Sequence, residues 1–369
     1  MKIPSFRYYF PQESIDFVSE KFREILETGA FLSTGKHCAE LEDKFASYVG
    51  LQHAVTVNSG TAALEAIFRA IDVRGFDVIV PTNTFAATAF AVVHAGGRPI
   101  FADCTDDLTV DPEDVKKKLT DKTKVVVTVH VGGMVSPHTY DLVDLCEEKG
   151  IYLVEDAAHA HGSALDGKKA GTFGVAGAFS FFSTKVMTTG EGGMVVTNDE
   201  AISDKVRLLA DQAKVDGRNY HEELGLNWRM AEVQALMGLA QLEHLDSFID
   251  KRTEIAKIYD EEFENVASLS PLKVPSNVRH SYYKYIVFLD KTLNREEIQK
   301  TLKTEYNVSL GGYVYDLPCH LQPVFKDFVQ SSLPVSEDLC NRHICPPIYV
   351  QMTEEEALYV VNSIKRCLQ

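Results

Sequence analysis

From residue 13 to about 245 the chain alternates amphipathic helical stretches with short, uninterrupted apolar runs. No other feature constrains its fold as strongly. A run of branched apolar residues asks for burial on both faces, and a helix between consecutive runs returns the chain so that the next strand lies parallel to the last. The spacing predicts strands over 54–57, 77–80, 98–102, 124–129 and 151–155, the second stopped by Pro81. Helices are expected over 61–71, 85–94, 112–119 and 139–149, with an earlier one marked by Leu41, Phe45, Tyr48 and Val49. Beyond Gly177 two strands, 178–182 and 192–197, flank a turn-rich segment. A long helix then runs from Met230 to about Phe263, with Val233, Leu236, Met237, Ala240 and Leu245 on its apolar stripe. A strand over 283–289 and helices over 295–306 and 354–368 read as a smaller α+β unit. The expectation is an α/β chain: a large domain, 1–245, with a mostly parallel sheet between helices, and a small C-terminal domain, 246–369.

In such sheets ligands gather at the carboxyl ends of the strands. Charge narrows what those ligands are. Lys and Arg number 37 against 53 Asp and Glu, a net charge of −16. That surface repels phosphate backbones and anionic lipid, which excludes nucleic acid or a membrane as main partner. An anionic ligand has to be held by a local device. No apolar run reaches a membrane span of roughly 18 residues, and the first residues carry no signal-peptide core. The seven cysteines are scattered without a C-x-x-C, as reduced thiols of a cytoplasmic protein would be. Cys340, His343 and Cys345 form the one tight cluster, but zinc would want a second pair, so no metal is expected.

Three constellations fall at strand ends. In the first, NSGTAAL over 58–64, Gly60 lets the backbone approach a ligand and Thr61 brings a hydroxyl to a helix start, whose free N–H groups suit a phosphate. A plain Ser/Thr helix cap is the competing reading. In the second, Asp156 ends a buried strand and demands a cation or strong donors, with His159 three residues on and Glu155 on the opposite face. A helix-capping Asp beside a core histidine would look the same. In the third, Lys185 follows a strand among small hydroxyl residues and glycines. Partial burial there would free its amine to attack a carbonyl, whereas an exposed loop lysine would do nothing. Jointly, a phosphate seat, a strand-end carboxylate and a loop lysine are what an aldehyde-bearing pyridine phosphate requires.

With these motifs in this order, joined by FLSTG at 31–35, PTNTF at 81–85, GLNWRMAEVQA at 225–235 and LPCHLQP at 317–323, the chain resembles the DegT/DnrJ/EryC1/StrS family of sugar aminotransferases over nearly its whole length. The resemblance implies fold type I with a seven-stranded sheet, pyridoxal 5'-phosphate (PLP) as cofactor, and a homodimer with shared active sites. Carried over by position, Lys185 is the lysine that bonds the cofactor, and Asp156 the partner of its ring nitrogen. Phe85 stacks on the ring, and His159 sits against the ring or its phenolic oxygen. Gly60, Thr61 and Ser180 hold the phosphate, with Asn227 reaching it across the dimer. Without the resemblance, Asn227 reads as the cap of the helix near Met230. Arg229, Tyr313 and His320 are the candidates for contact with substrate; for Arg229 a surface ion pair is the alternative. Residues 4–10 and 311–316 are placed to shape substrate choice.

The implied reaction moves an amino group from glutamate to a keto sugar, first of all a nucleotide-linked keto-deoxy sugar. A cyclitol or a free keto sugar acid is the alternative acceptor. A sugar dehydratase of the same family replaces the lysine with histidine, so Lys185 counts against it. A non-enzymatic regulator on this fold would not need to retain Lys185, Asp156 and the phosphate loop together.

Overall fold

The computed structural model describes residues 1–215, 219–329 and 331–368. Two helices, α1 (Gln12–Thr28) and α2 (Lys36–Val49), precede the alternating region. Strands β1 (His53–Val57), β2 (Asp77–Pro81), β3 (Arg98–Ala102), β4 (Thr123–Val129) and β5 (Tyr152–Asp156) then alternate with α3 (Gly60–Ala70), α4 (Ala86–His94), α5 (Pro112–Lys118) and α6 (Thr139–Lys149). A small hairpin of β6 (Ala164–Leu165) and β7 (Lys168–Lys169) leads to β8 (Ala176–Ser180) and β9 (Gly193–Thr197). Helices α7 (Glu200–Ala210) and α8 (Glu232–Phe263) follow. The remainder holds β10 (Leu269–Pro271), β11 (Val278–Arg279), β12 (Val287–Leu289), α9 (Arg295–Glu305), α10 (Pro334–Arg342), β13 (His343–Ile344) and α11 (Glu354–Cys367).

The expected sheet has seven strands in the order β1-β9-β8-β5-β4-β2-β3. Only β9 runs against its neighbours; β8, β5, β4, β2 and β3 pair in parallel. Val125 and Val127 of β4 join one apolar cluster and Val126 another, the two-sided burial that a parallel sheet imposes on its strands. Helix starts carry their own signals. Ser59 accepts from Ala62 N at the head of α3, Asp111 caps α5 with Pro112 behind it, and Thr353 with Glu356 closes a capping box on α11.

Two predicted strands shift. The 178–182 strand lies at 176–180, its pairing with β9 ending at Ser180 and Gly193; one further bond, Phe181 N to Gly192 O, precedes the loop that carries Lys185. The 283–289 strand shrinks to 287–289. Residues 281–284 instead dock on a glycine turn, Ser281 N bonding Gly133 O and Lys284 N bonding Gly132 O. Gly133 has φ +106°, and a Cβ there would fall 2.3 Å from Ser281 Oγ, so only glycine permits this docking.

Helix α8 runs from one core into another. Ala235 and Leu239 pack with the helices on the sheet, while Ile255, Tyr259 and Phe263 join β10, β12, α9, α11 and Ile3. Each such large side chain contributes roughly 1.5–3 kcal/mol on burial. The Tyr259 hydroxyl, buried within that second core, donates to Pro347 O at 2.7 Å.

Candidate active site

The carboxyl ends of β5 and β8, the start of α3 and the loop after β8 meet at one edge of the sheet. Gly60 lies so close to the end of β8 that a Cβ would stand 2.7 Å from Ser180 Cβ and 3.2 Å from its Cα. Helix geometry leaves the N–H groups of Gly60 and Thr61 without intrahelical acceptors. The helix start and Ser180 together therefore form a cradle that a side chain at 60 would fill, with donors suited to a phosphate.

Asp156 is the last residue of β5 and 6% exposed. Its Oδ2 accepts from Thr88 Oγ1 at 2.8 Å and its Oδ1 from Ala158 N at 3.1 Å; Thr84 Oγ1 backs Thr88 at 2.8 Å. Burial raises its pKa, and the two neutral donors only partly oppose this. Among the described residues no cation lies within hydrogen-bond reach of it. A buried carboxylate so placed calls for a cationic donor such as a protonated ring nitrogen. Glu155 points to the other face, as expected, where it binds His130 Nε2 at 2.9 Å and the backbone N–H groups of Gly171, Phe173 and Gly174.

Lys185 sits in the loop after β8, half-buried, its Nζ 4.6 Å from the centre of the Tyr283 ring. Burial pushes its pKa down to about 7; the charge of Asp156 works against that fall and Lys284 adds to it. Near neutral pH the side chain is thus in large part a free amine, which an exposed loop lysine would not be. His159 faces the same tyrosine at 4.3 Å and stacks on Tyr315 at 5.9 Å. Its Nδ1 accepts from Gly132 N at 3.3 Å, and burial drives its pKa well below the usual histidine range. The ring is neutral, with its proton on Nε2.

The other sequence candidates divide. Phe85 caps α4 and is 66% exposed beside this edge. Asn227 is not a helix cap, since α8 begins at Glu232; its carbonyl accepts from Asn58 Nδ2 at 3.2 Å and its side chain is exposed. Arg229 is held by Asp211 at 2.5 Å, the ion-pair alternative, and lines a different pocket from the one at Lys185. The Tyr313 hydroxyl binds Gln299 and its ring lies 4.1 Å from the Arg295 guanidinium, outside the contacts gathered at Lys185. Both ring nitrogens of His320 are taken, by Thr82 Oγ1 at 2.7 Å and Glu337 Oε1 at 3.0 Å, so it has none to offer a substrate. Cys340, His343 and Cys345 pack in the core; the His343 nitrogens meet Val314 N and Leu339 O. Among the described residues no group of His, Cys, Asp or Glu is placed to hold a metal, and no helix is long and apolar enough to cross a membrane.

Of the residues gathered here, Tyr315 falls within the 311–316 segment, whereas Thr88, Tyr283, Lys284 and Arg252 are not among the sequence candidates. Only the run YYKY at 282–285 offers a local signal, and its pattern reads as the start of a strand. Of the N-terminal segment, Phe6 does line the cleft at Lys185, along with Thr184 and Arg252.

The profile of the DegT/DnrJ/EryC1/StrS aminotransferase family matches residues 13–365. The chain is 35% identical over 361 residues to the GDP-perosamine synthase of Vibrio cholerae, covering 96% of this chain and 97% of that one. Its fold superposes with a TM-score of 0.92 on DesV of S. venezuelae, solved in complex with a ketimine intermediate, at 28% identity over 99% of this chain and 98% of that one. It superposes at 0.90 on DesI, solved in the presence of its TDP-sugar product, at 28% identity over 97% and 91%.

Proposed function

The chain belongs to the DegT/DnrJ/EryC1/StrS aminotransferase family and is a PLP-dependent transaminase; from that premise we propose that it moves an amino group from glutamate to a nucleotide-linked keto-deoxy sugar, yielding an amino sugar. A GDP-sugar enzyme and a TDP-sugar enzyme among its relatives support the sugar class and leave the base open. The observation that carries the reading is Lys185: an amine held near neutrality at the sheet edge that also presents Asp156 and the Gly60 cradle.

The residues fit the cofactor. Gly60, Thr61 and Ser180 would hold its phosphate, Asp156 its ring nitrogen, Phe85 and His159 its two faces, and Asn227 of a second copy would complete the phosphate site. When bound, PLP supplies an electrophilic carbon and an electron-accepting ring. The chain does the rest. Lys185 Nζ would take the proton from the donor's α-carbon and pass it on to a different carbon, and in the second half-reaction deliver a proton to the acceptor's carbon, working as base and then acid because its pKa lies near the operating pH. Asp156 keeps its negative charge against a cationic partner, with Thr88 and Ala158 N fixing the carboxylate's orientation. His159, neutral, and the rings of Tyr283 and Tyr315 wall the site and exclude water.

The working unit is a cytoplasmic homodimer with shared sites. Its chain divides into a cofactor-binding domain, 1–245, and a small domain, 246–369, a division supported by the separate apolar cluster beyond the middle of α8. Borohydride reduction of the PLP-saturated protein followed by peptide mapping should place the label on Lys185. A label elsewhere, or none, overturns the assignment.

A further inference from the structure

Tyr283, whose ring lies against Lys185, also lines a cavity of about 250 Å³. Two cations line it, Lys284 and Arg252, and no carboxylate does so among the described residues. Resting on the aminotransferase reading, we propose that this cavity is the anion subsite of the reaction, where Lys284 and Arg252 take a carboxylate or phosphate group of the substrate whose reacting carbon lies at Lys185.

Arg252 is 5% exposed. Its Nη1 donates to Tyr282 O at 3.0 Å and Ile348 O at 2.9 Å, which fixes the guanidinium, while its buried Nε has no partner among the described residues. Lys284 is half-buried, and among the described residues its Nζ reaches only the Gly311 carbonyl and the Tyr283 ring, at 5.1 Å from the ring centre. Burial lowers the pKa of both, Arg252 to about 10. One buried and one half-buried cation lining the same cavity, with no carboxylate beside them among the described residues, are costly unless an anion joins them. The surrounding chain carries a net charge of −16, so nothing in its overall field explains a local pair of this kind. The cavity communicates with chemistry: Phe6, Thr184 and Arg252 line both it and the cleft at Lys185. It also replaces Arg229, which Asp211 has already claimed, as the local device an acidic protein needs to hold an anionic substrate.

The test uses the PLP-loaded protein and its Lys284→Met variant. Arg252 is unsuitable, because its bonds to two backbone carbonyls hold the loop itself. Glutarate and inorganic pyrophosphate serve as probes for the donor's carboxylates and the acceptor's diphosphate, each titrated by calorimetry. The wild-type protein should bind at least one, and Lys284→Met should weaken that probe roughly tenfold or more, as expected for the loss of a charge-assisted contact. Lys284→Arg, which keeps the charge, should restore it. Weakening of glutarate alone assigns the subsite to the amino donor; of pyrophosphate alone, to the nucleotide sugar; of both, to a subsite that the two substrates share in turn. If the wild type binds neither probe, or Lys284→Met binds as tightly as wild type, the subsite is refuted. A parallel reading of the cofactor absorbance with glutamate separates the two levels. No spectral change in the wild type would remove the aminotransferase reading itself, whereas a normal change with unmoved probe affinities would remove only the subsite.

Discussion

At the scale of single residues, the site works through contrasts of environment. Lys185, Asp156 and His159 all lie at the same edge, and burial acts on each: it moves the lysine and the histidine down and the aspartate up. For the lysine this makes the neutral amine available near pH 7 rather than above 10. The cofactor-free protein should therefore capture added PLP at a rate that climbs as pH rises through about 7 and levels off above it, read by absorbance in a stopped-flow mixer. A rise centred near 10 instead would show an ordinary exposed lysine. The linkage to stability has a definite sign. The folded pKa lies below the unfolded 10.5, so the cost of burying this ammonium is fully present below about pH 7 and fades as pH climbs toward 10.5. For His159 the same burial removes any titration in the physiological range, so activity should show no limb from this ring between pH 6 and 8.

At the scale of elements, the site depends on how closely backbones approach. The head of α3 can rest against the end of β8 because position 60 has no side chain. Gly60→Ala would drive a methyl group into the Cβ and Cα of Ser180, and because one of those atoms is backbone, relief requires the helix to shift. The variant should lose about 1–3 kcal/mol of stability, as overpacked sites do, and its PLP affinity should fall more than its melting temperature suggests. Equilibrium dialysis beside a thermal melt checks both; unchanged PLP binding would show that the cradle is not the phosphate seat. Gly133 acts in the same way at longer range. It lets residues 281–284 lie on the turn after β4, which brings the Tyr283 ring within reach of both Lys185 and Lys284.

At the scale of the whole molecule, several large apolar side chains lie open: Phe31 is 86% exposed, Leu32 56% and Leu224 87%. The first two are pinned beside the start of α8, where Ser33 pairs with Ala231 and Glu232 N bonds Leu32 O, so they are held out by the fold rather than left loose. A second copy covering this face would bury them. Sedimentation should find a dimer at micromolar concentration, and Phe31→Asp should shift it toward monomer while loosening PLP; a wild-type chain that sediments as monomer refutes the shared site. How much of all this could be read along the chain depended on sequence distance. Strand ends and helix starts are local features, written in alternation, caps and glycines a few residues apart, so the sheet, Asp156, Lys185 and the Gly60 turn were all legible. Tyr313 and His320 lie in segments that suggest contact with substrate, but Gln299 and Arg295 engage the one and Thr82 and Glu337 the other. By itself the sequence determined the layered α/β architecture and the chemistry that its strand ends can carry, because both arise from short-range periodicity and residue type. Only the tertiary structure decided which cations near Lys185 lack a carboxylate among the described residues: Arg229 is paired with Asp211, while Lys284 and Arg252 meet backbone carbonyls, and these partners come from segments distant along the chain whose meeting no local pattern records.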